Sequence, residues 1–239
     1  GDLAKAIVAK AAQSVGDDGA KTPITPSLMT LADLAGYKAK KRDPVCASYR
    51  SAYYVCTMAP PSSGGIAIAQ SLGILGQFNL AQYGLANPAN EGGVPSVMGV
   101  HLVSEAERLA YADRDKYVAD TDFVPLPAQG LSSLLSPDYL RQRASLISPD
   151  RSMGTAAAGD CGPVPQGVDK TVEHGTTHFS VVDAYGNVVS MTTTVESSMG
   201  SCHMVEGFLL TNQLTDFSAS PVDGSGQPVA NRVAPGKRP

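Results

Sequence analysis

The sequence predicts an α+β protein in which helices dominate the first part of the chain and strands the last. Apolar residues recur at helical spacing up to residue 147, whereas strand-like runs rich in Val, Thr and Phe begin at Thr176. Residues 149–173 separate the two parts, contain many Gly, Ala and Pro residues, and are predicted to form a flexible linker. With 239 residues, the chain is long enough to bury a full core, as one large domain or two small ones.

The predicted helices follow from apolar spacing and from residues that start or stop a helix. The first is rich in Ala and is closed by Gly16, and the third opens after the turn-forming run at residues 60–65. In the fourth, the spacing of the apolar residues gives one apolar face. The helices are expected at residues 3–15, 31–34, 66–75, 97–113 and 137–147, with loops at residues 17–30, 84–95 and 120–137.

The predicted strands are short, and consecutive strands are expected to pair. The first two flank a tight turn, and the next two are joined by five residues, Asp183-Ala184-Tyr185-Gly186-Asn187, which are typical of a hairpin loop. The strands are expected at residues 45–49, 53–58, 176–182, 188–195 and 207–210, followed by a Pro- and Gly-rich tail at residues 218–239.

Composition and charge exclude several classes of protein. The content of 43% hydrophobic and 17% charged residues is that of a globular protein, not of a disordered or coiled-coil chain. The net charge of −4 argues against a general nucleic-acid binder. No apolar run approaches the ~20 residues of a membrane span. The chain opens inside a predicted helix with no signal peptide before it, so we expect it to lack its native N-terminus.

Common catalytic and metal-binding motifs are missing from the sequence. It contains no GxSxG, GxGxxG or Walker A pattern. His174 and His178 have the spacing of a zinc-binding helix, but the residues between them favour loop and strand, and the Glu of HExxH is missing. We therefore predict no metal site at these two histidines.

One residue, Thr176, stands where the predicted linker enters a strand. A Thr hydroxyl is a poor nucleophile unless a base takes its proton. The residue's own α-amine can be that base only if Thr176 is N-terminal, which requires cleavage of the Gly175–Thr176 bond. Gly175 suits such a cleavage because it has no Cβ to obstruct attack. From these residues alone, an ordinary strand start remains the alternative.

The predicted hairpin brings a second hydroxyl near Thr176. If Asp183 pairs with Val188, Thr176 lies opposite Val195, and Thr194 comes within about one residue of it. The Thr194 hydroxyl could then donate a hydrogen bond to Thr176. The alternative is that the run of three threonines ending at Thr194 reflects only β-propensity.

Five stretches of the chain carry motifs of one known family, in the same order and spacing. Two follow Gly175 and three precede it; they are residues 31–37, 60–65, 108–114, 176–187 and 207–218. With these motifs the chain resembles the γ-glutamyltransferases (γ-glutamyltranspeptidases) over nearly its whole length. The resemblance makes residues 1–175 the C-terminal part of a large subunit and residues 176–239 the N-terminal part of a small subunit.

The resemblance implies a fold and a set of site residues. Members of this family are N-terminal nucleophile hydrolases with an αββα four-layer sandwich, which this segment would form only in part. Thr176 would be the nucleophile for self-cleavage and for turnover, with Thr194 hydrogen-bonded to it. Gln213 and Asp216 would bind the α-amino group of the substrate. Glu196 would contribute to substrate binding at a position that is often Asn in the family.

The resemblance also implies partners and a reaction that needs neither a metal nor an organic cofactor. The donor would be glutathione or another γ-glutamyl compound, and the acceptor an amino acid, a peptide or water. The processed subunits would form a heterodimer in the periplasm or outside the cell. The family's Ser-Ser and Gly-Gly motifs would follow Pro239, and its carboxylate-binding Arg would precede Gly1. We therefore expect an internal segment of a precursor, uncut and inactive by itself.

Two alternatives to this function stay open. A cephalosporin or glutaryl acylase of the same superfamily would not need Gln213 and Asp216, which suit an amino-acid head group. A non-catalytic relative that acts as a binding module would not need Thr176.

Two of the four cysteines are predicted to form a disulfide. If Tyr49 pairs with Tyr53 across the first tight turn, Cys46 lies directly opposite Cys56, and opposed residues of an antiparallel pair are within disulfide range. The alternative is two independent thiols. The sequence leaves the pairing of Cys161 and Cys202 open.

Overall fold

The computed structural model describes residues 1–84, 93–162, 164, 166–172 and 175–239. These residues form two compact units. The first comprises Gly1–Lys41 and Thr171–Phe217, and the second comprises Arg42–Lys170 and Ser218–Pro239. Helices and small antiparallel sheets occur together, so the predicted α+β class is confirmed. The predicted subunit boundary after Gly175 falls inside the first unit and stays a prediction.

The helices and strands follow the predicted order with two differences. A short helix at Leu131–Leu135 lies inside the loop predicted at residues 120–137, because Leu134 packs in the core, and a short strand at Met204–Val205 precedes the strand predicted at residues 207–210 and pairs with it. In chain order they are α1 (Asp2–Ala11), α2 (Leu31–Gly36), β1 (Val45–Tyr49), β2 (Tyr53–Thr57), α3 (Gly64–Leu75), α4 (Val97–Tyr117), α5 (Leu131–Leu135), α6 (Pro137–Ala144), β3 (Thr177–Val182), β4 (Val188–Thr193), β5 (Met204–Val205) and β6 (Phe208–Leu209). Short 3₁₀ turns lie at Leu80–Tyr83 and Gln213–Asp216. None of the helices among the described residues is long and apolar enough to span a membrane.

The second unit is built around α3, a largely apolar helix that other elements cover over most of its surface. It contacts α4, α5, α6, β1 and β2. Ile66 and Ile74 of α3 are fully buried, together with Leu109 of α4 and Leu134 of α5. A helix with so many apolar residues is expected in a buried position. The predicted loop at residues 84–95 lies largely outside the described residues.

Helix α4 is longer than predicted, and its last turns carry polar groups that point into the core. It continues to Tyr117, four residues past the predicted end at residue 113. Asp113 and Tyr117 are buried, with only 1% and 0% of their surface exposed. Asp113 accepts hydrogen bonds from Gln70 Nε2 at 2.8 Å and from Tyr139 Oη at 2.6 Å. Burial, followed by the contact with Asp113, raises the pKa of Tyr139.

Residues 152–161, predicted as part of a flexible linker, are instead held against α4. Ser152 Oγ and the Met153 amide donate to Glu105 at 2.7 and 2.8 Å. The Gly159 amide donates to Asp113 at 2.7 Å, and Tyr117 Oη donates to the Gly159 carbonyl at 2.6 Å. The Gly and Ala residues that suggested a linker thus permit close packing.

Gly159 illustrates this packing most directly. A Cβ at this position would lie 2.1 Å from Tyr139 Oη, well inside van der Waals contact. The sequence pattern of small residues is the same for a flexible linker and for a closely packed segment, so it could not distinguish them.

Removing the buried carboxylate of Asp113 on α4 is expected to destabilise the second unit strongly. Asp113 lies 3.2 Å from Arg143, and both side chains are buried. Because Asp113→Ala leaves Arg143 buried without its counterion, we expect the free energy of unfolding to fall by about 3–5 kcal/mol. Urea denaturation followed by circular dichroism measures this change.

Asp138→Ala is the matched control for that experiment. It removes an ion pair to Arg141 whose side chains are 92% and 65% exposed, and such pairs contribute about 0–1 kcal/mol. Equal stability losses in the two variants would contradict the structural role of Asp113.

The predicted disulfide is confirmed. Strands β1 and β2 pair antiparallel with Tyr49 opposite Tyr53 and Cys46 opposite Cys56, and the two cysteines are bonded. Cys161 is a buried free thiol in the second unit, and Cys202 is a half-buried free thiol in the first.

The predicted register of the β3–β4 hairpin is wrong by one residue. Thr177 lies opposite Thr193, and the Asp183 amide donates to the Asn187 carbonyl at 3.0 Å, so Asp183 pairs with Asn187 rather than with Val188. The reason is the turn: Gly186 has φ +84°, which closes a three-residue loop with a bulge. The Asp183 carboxylate also accepts from the Tyr185 and Asn187 amides, which fixes this loop.

Candidate active site

The corrected register places the two candidate catalytic threonines face to face. Thr176 immediately precedes β3 and Thr194 immediately follows β4. Continuing the observed pairing by one residue sets Thr176 opposite Thr194 instead of Val195. Opposed side chains of an antiparallel pair have Cβ atoms about 4.5–5.5 Å apart, so both hydroxyls lie at the same end of the hairpin.

The hydroxyl of Thr194 is held between two backbone groups. Its Oγ1 donates to the carbonyl oxygen of Gly175 at 3.3 Å and accepts from the amide of Glu196 at 2.7 Å. An amide N–H can only donate, so the hydroxyl proton is directed at the Gly175 carbonyl. That carbonyl belongs to the bond predicted to be cleaved. The predicted hydrogen bond from Thr194 to Thr176 itself stays a prediction.

An open cleft surrounds these groups. Its volume is about 640 Å³, and both candidate catalytic threonines and Glu196 line it; its lining residues are Gly175, Thr176, Thr177, Thr194, Val195, Glu196, Ser197 and Ser198. Thr176 is exposed, whereas Thr194 and Glu196 are half-buried. The cleft therefore gives a substrate access to Thr176.

Gln213 and Asp216 are not among the described residues that line this cleft. They begin and end a 3₁₀ turn, and both are half-buried. The connection between this turn and the cleft runs through Asn212, which directly precedes the turn. The structure thus brings Thr176, Thr194 and Glu196 together and joins Gln213 and Asp216 to them indirectly.

Asn212 is a residue of this site that the sequence analysis did not single out. Its Nδ2 donates to Glu196 Oε2, to Ser197 Oγ at 3.0 Å and to Thr215 Oγ1 at 3.3 Å. Its Oδ1 accepts from the Ser197 amide at 3.1 Å. Asn212 lies within the family motif at residues 207–218, directly before Gln213, and that position was the available signal.

Only one of the two histidines considered for a metal lies among the described residues. His178 lies on β3, where its ring nitrogens contact Thr192 Oγ1 at 2.8 Å and Ser190 Oγ at 3.0 Å. His174 lies outside the described residues. The part of the chain that the structure describes holds no group of three or more His, Cys, Asp or Glu side chains arranged to bind a metal.

The chain is similar in sequence to known proteins that are made as proenzymes. The chain is 41% identical over 223 residues to the glutathione hydrolase proenzyme of Bacillus subtilis (strain 168), a match that covers 88% of this chain and 35% of that protein. It is 33% identical over 213 residues to the acylase ACY 1 proenzyme of Pseudomonas sp. (strain SE83), which covers 88% of this chain and 33% of that protein. The chain thus spans about a third of the length of these curated relatives.

A solved structure shows the same fold. The cephalosporin acylase from Bacillus halodurans superposes with a TM-score of 0.69 at 24% sequence identity, covering 100% of this chain and 36% of that one. The sequence also matches the family described as γ-glutamyltranspeptidase over residues 1–239. Because that match extends over the whole sequence, the chain belongs to the γ-glutamyltranspeptidase family.

Proposed function

We propose that the protein containing this chain transfers and hydrolyses γ-glutamyl groups, with glutathione as a donor. It would first cut itself between Gly175 and Thr176. The observation that carries this proposal is the hydrogen bond from Thr194 Oγ1 to the Gly175 carbonyl, in a cleft that Thr176 lines. An acyl shift needs a nucleophile beside the carbonyl and a hydrogen-bond donor to the carbonyl oxygen. Here the Thr176 hydroxyl would be the nucleophile and the Thr194 hydroxyl the donor.

Self-cleavage would proceed through an ester. Thr176 Oγ1 gives up its proton and attacks the Gly175 carbonyl carbon, and the Gly175–Thr176 amide bond breaks as the Thr176 nitrogen takes up that proton. The acyl group is then on Thr176 Oγ1, and water hydrolyses this ester to a Gly175 carboxylate and a free Thr176 hydroxyl. Thr194 stabilises the negative charge that develops on the Gly175 oxygen during the attack.

Turnover would use the same hydroxyl with a new base. The free α-amine of Thr176 accepts the hydroxyl proton, and Oγ1 attacks the γ-carbonyl of the donor. The leaving amine departs with that proton and a γ-glutamyl ester remains on Thr176. Water then releases glutamate, or the amine of an amino acid or peptide takes the acyl group. Forming the ester divides one difficult amide cleavage into two easier steps.

Glu196, Gln213 and Asp216 would bind the α-ammonium group of the donor. Each offers an oxygen acceptor, and a carboxylate facing an ammonium forms a strong charge-assisted hydrogen bond. Asn212 links Glu196 to the turn that carries Gln213 and Asp216, which supports a common role.

Replacing Asp216 is expected to lower activity selectively. Because Asp216→Ala removes a carboxylate from the ammonium site, kcat/KM for γ-glutamyl-p-nitroanilide should fall by about two orders of magnitude. Steady-state release of p-nitroaniline measures this. Leu214→Ala, at a 73% exposed position of the same turn, is the control and should keep wild-type activity. An unchanged kcat/KM in Asp216→Ala would remove Asp216 from the site.

We further propose that the complete protein is an αββα four-layer sandwich and works as a heterodimer of the two processed subunits in the periplasm or outside the cell. Strands β3 and β4 support the sandwich, because apolar side chains such as Phe179 and Met191 are exposed in this chain and suit burial in a sheet. The Cys46–Cys56 disulfide supports an oxidising compartment.

A glutaryl or cephalosporin acylase is the second candidate, because a relative named as an acylase is 33% identical. The two functions differ in whether the substrate carries an α-ammonium group. Incubating the full-length protein with γ-glutamyl-p-nitroanilide and with glutaryl-p-nitroanilide, each with and without glycylglycine, separates them. We expect preference for the γ-glutamyl compound and a faster reaction with glycylglycine. Preference for the glutaryl compound would favour the acylase.

A further inference from the structure

We infer that Asn212 is a positioning residue, which orients Glu196 and the turn Gln213–Asp216 together so that both face one ammonium group. This inference rests on the proposed function and deepens it, because it names a further residue that determines affinity for the donor. Asn212 touches none of the reacting groups; it acts through Glu196 on one side and through the 3₁₀ turn on the other.

The orientation of the Asn212 amide is unambiguous. Its Oδ1 accepts from the Ser197 amide, which can only donate, and its Nδ2 donates to the Glu196 carboxylate, which accepts when ionised. Exchanging the amide oxygen and nitrogen would break both contacts at once. The side chain therefore has one favourable orientation, and that orientation fixes its neighbours in turn.

Glu196 needs this support because its backbone is in an uncommon conformation. Its φ of +69° lies in the left-handed region, where a residue other than Gly is held only by its surroundings. Two donors converge on one carboxylate oxygen, Oε2: Ser197 Oγ at 2.6 Å and Asn212 Nδ2. Together they set the direction of a carboxylate that lines the cleft beside Thr176.

The same residue anchors the start of the 3₁₀ turn. The Asn212 carbonyl accepts from the Thr215 amide at 3.0 Å and from Thr215 Oγ1 at 2.9 Å. The backbone N–H of Asn212 donates at 3.4 Å to the carbonyl of Val195, the residue directly before Glu196. Backbone and side chain of Asn212 therefore join two segments that are far apart in sequence.

Two variants test this role in the full-length protein. Asn212→Asp keeps the shape and the contact with the Ser197 amide but replaces the donor facing Glu196 with a second carboxylate oxygen. Asn212→Ala removes the whole amide. Because neither touches the reacting atoms, we expect KM for γ-glutamyl-p-nitroanilide to rise about tenfold or more in both, with kcat nearly unchanged. Both variants should still split into two subunits.

A matched control is Asn187→Ala. It also removes an amide donor to a carboxylate, Asn187 Nδ2 to Asp183 at 2.7 Å, but at the opposite end of the β3–β4 hairpin. Its KM should equal that of the wild type.

The decisive measurement is a double-mutant cycle with Glu196→Ala. If Asn212 acts through Glu196, the effect of Asn212→Ala on kcat/KM becomes smaller in the Glu196→Ala background. Fully additive effects, or an Asn212→Asp variant with wild-type KM, would overturn the positioning role. A wild-type protein that releases no p-nitroaniline would overturn the proposed function, and this inference with it, whereas an active wild type with unchanged variants would overturn only the role of Asn212.

Discussion

Replacing Thr176 with Ala is expected to leave the full-length protein as one uncut and inactive chain. In the proposed mechanism a single hydroxyl attacks the Gly175 carbonyl in the first reaction and the donor in the second. Without that hydroxyl neither ester can form, so both subunit formation and p-nitroaniline release should disappear. A denaturing gel and a turnover assay on the same preparation measure the two losses.

Thr193→Ala is the control for that variant. Thr193 lies on β4 opposite Thr177, is exposed, and does not line the described cleft. It should be processed and active like the wild type. Two bands from Thr176→Ala would show that another residue cuts the chain.

Replacing Thr194 with Val is expected to slow self-cleavage by about 10²–10³-fold. Val keeps the branched shape but removes the hydroxyl that donates to the Gly175 carbonyl at 3.3 Å. Removing one donor from a developing oxyanion typically has an effect of this size. The rate is measured as disappearance of newly synthesised precursor on a denaturing gel over time.

Thr193→Val is the matched control for the Thr194 experiment. It makes the same chemical change one residue earlier, on the strand itself, and should not alter the rate. If Thr194→Val is processed as fast as the wild type, the contact with the Gly175 carbonyl plays no part in cleavage.

The candidate nucleophile could be predicted from sequence because its signal is local. Thr176 stands at the entrance to a strand, and the residues around it carry the family motif. The paired strands β1 and β2 were predictable for the same reason, since the two runs are separated by a tight turn and the register fixed Cys46 opposite Cys56.

The register of the β3–β4 hairpin was harder to predict from sequence, because it depends on the conformation of one glycine. The five loop residues are compatible with more than one closure, and only the positive φ of Gly186 makes Asp183 pair with Asn187. That difference of one residue decides whether Thr194 or Val195 faces Thr176.

Two other features depend on contacts between residues distant in sequence. The helix predicted at residues 97–113 left the roles of Asp113 and Tyr117 open, and their burial becomes visible only when residues 152–161 pack on them. Asn212 similarly acts on Glu196, 16 residues earlier, and no local pattern indicates that contact. Hydrophobic periodicity reports which side of an element is buried, but not which polar groups meet there.

In the proposed mechanism Thr176 becomes the N-terminus of a subunit and then carries the γ-glutamyl group. Mass spectrometry of the full-length enzyme, quenched with acid during turnover of γ-glutamyl-p-nitroanilide and then digested, tests both parts in one measurement. We predict an N-terminal peptide that begins Thr176-Thr177-His178 and that gains one γ-glutamyl group. An N-terminus at another residue, or a γ-glutamyl group attached elsewhere, would contradict the assignment of Thr176.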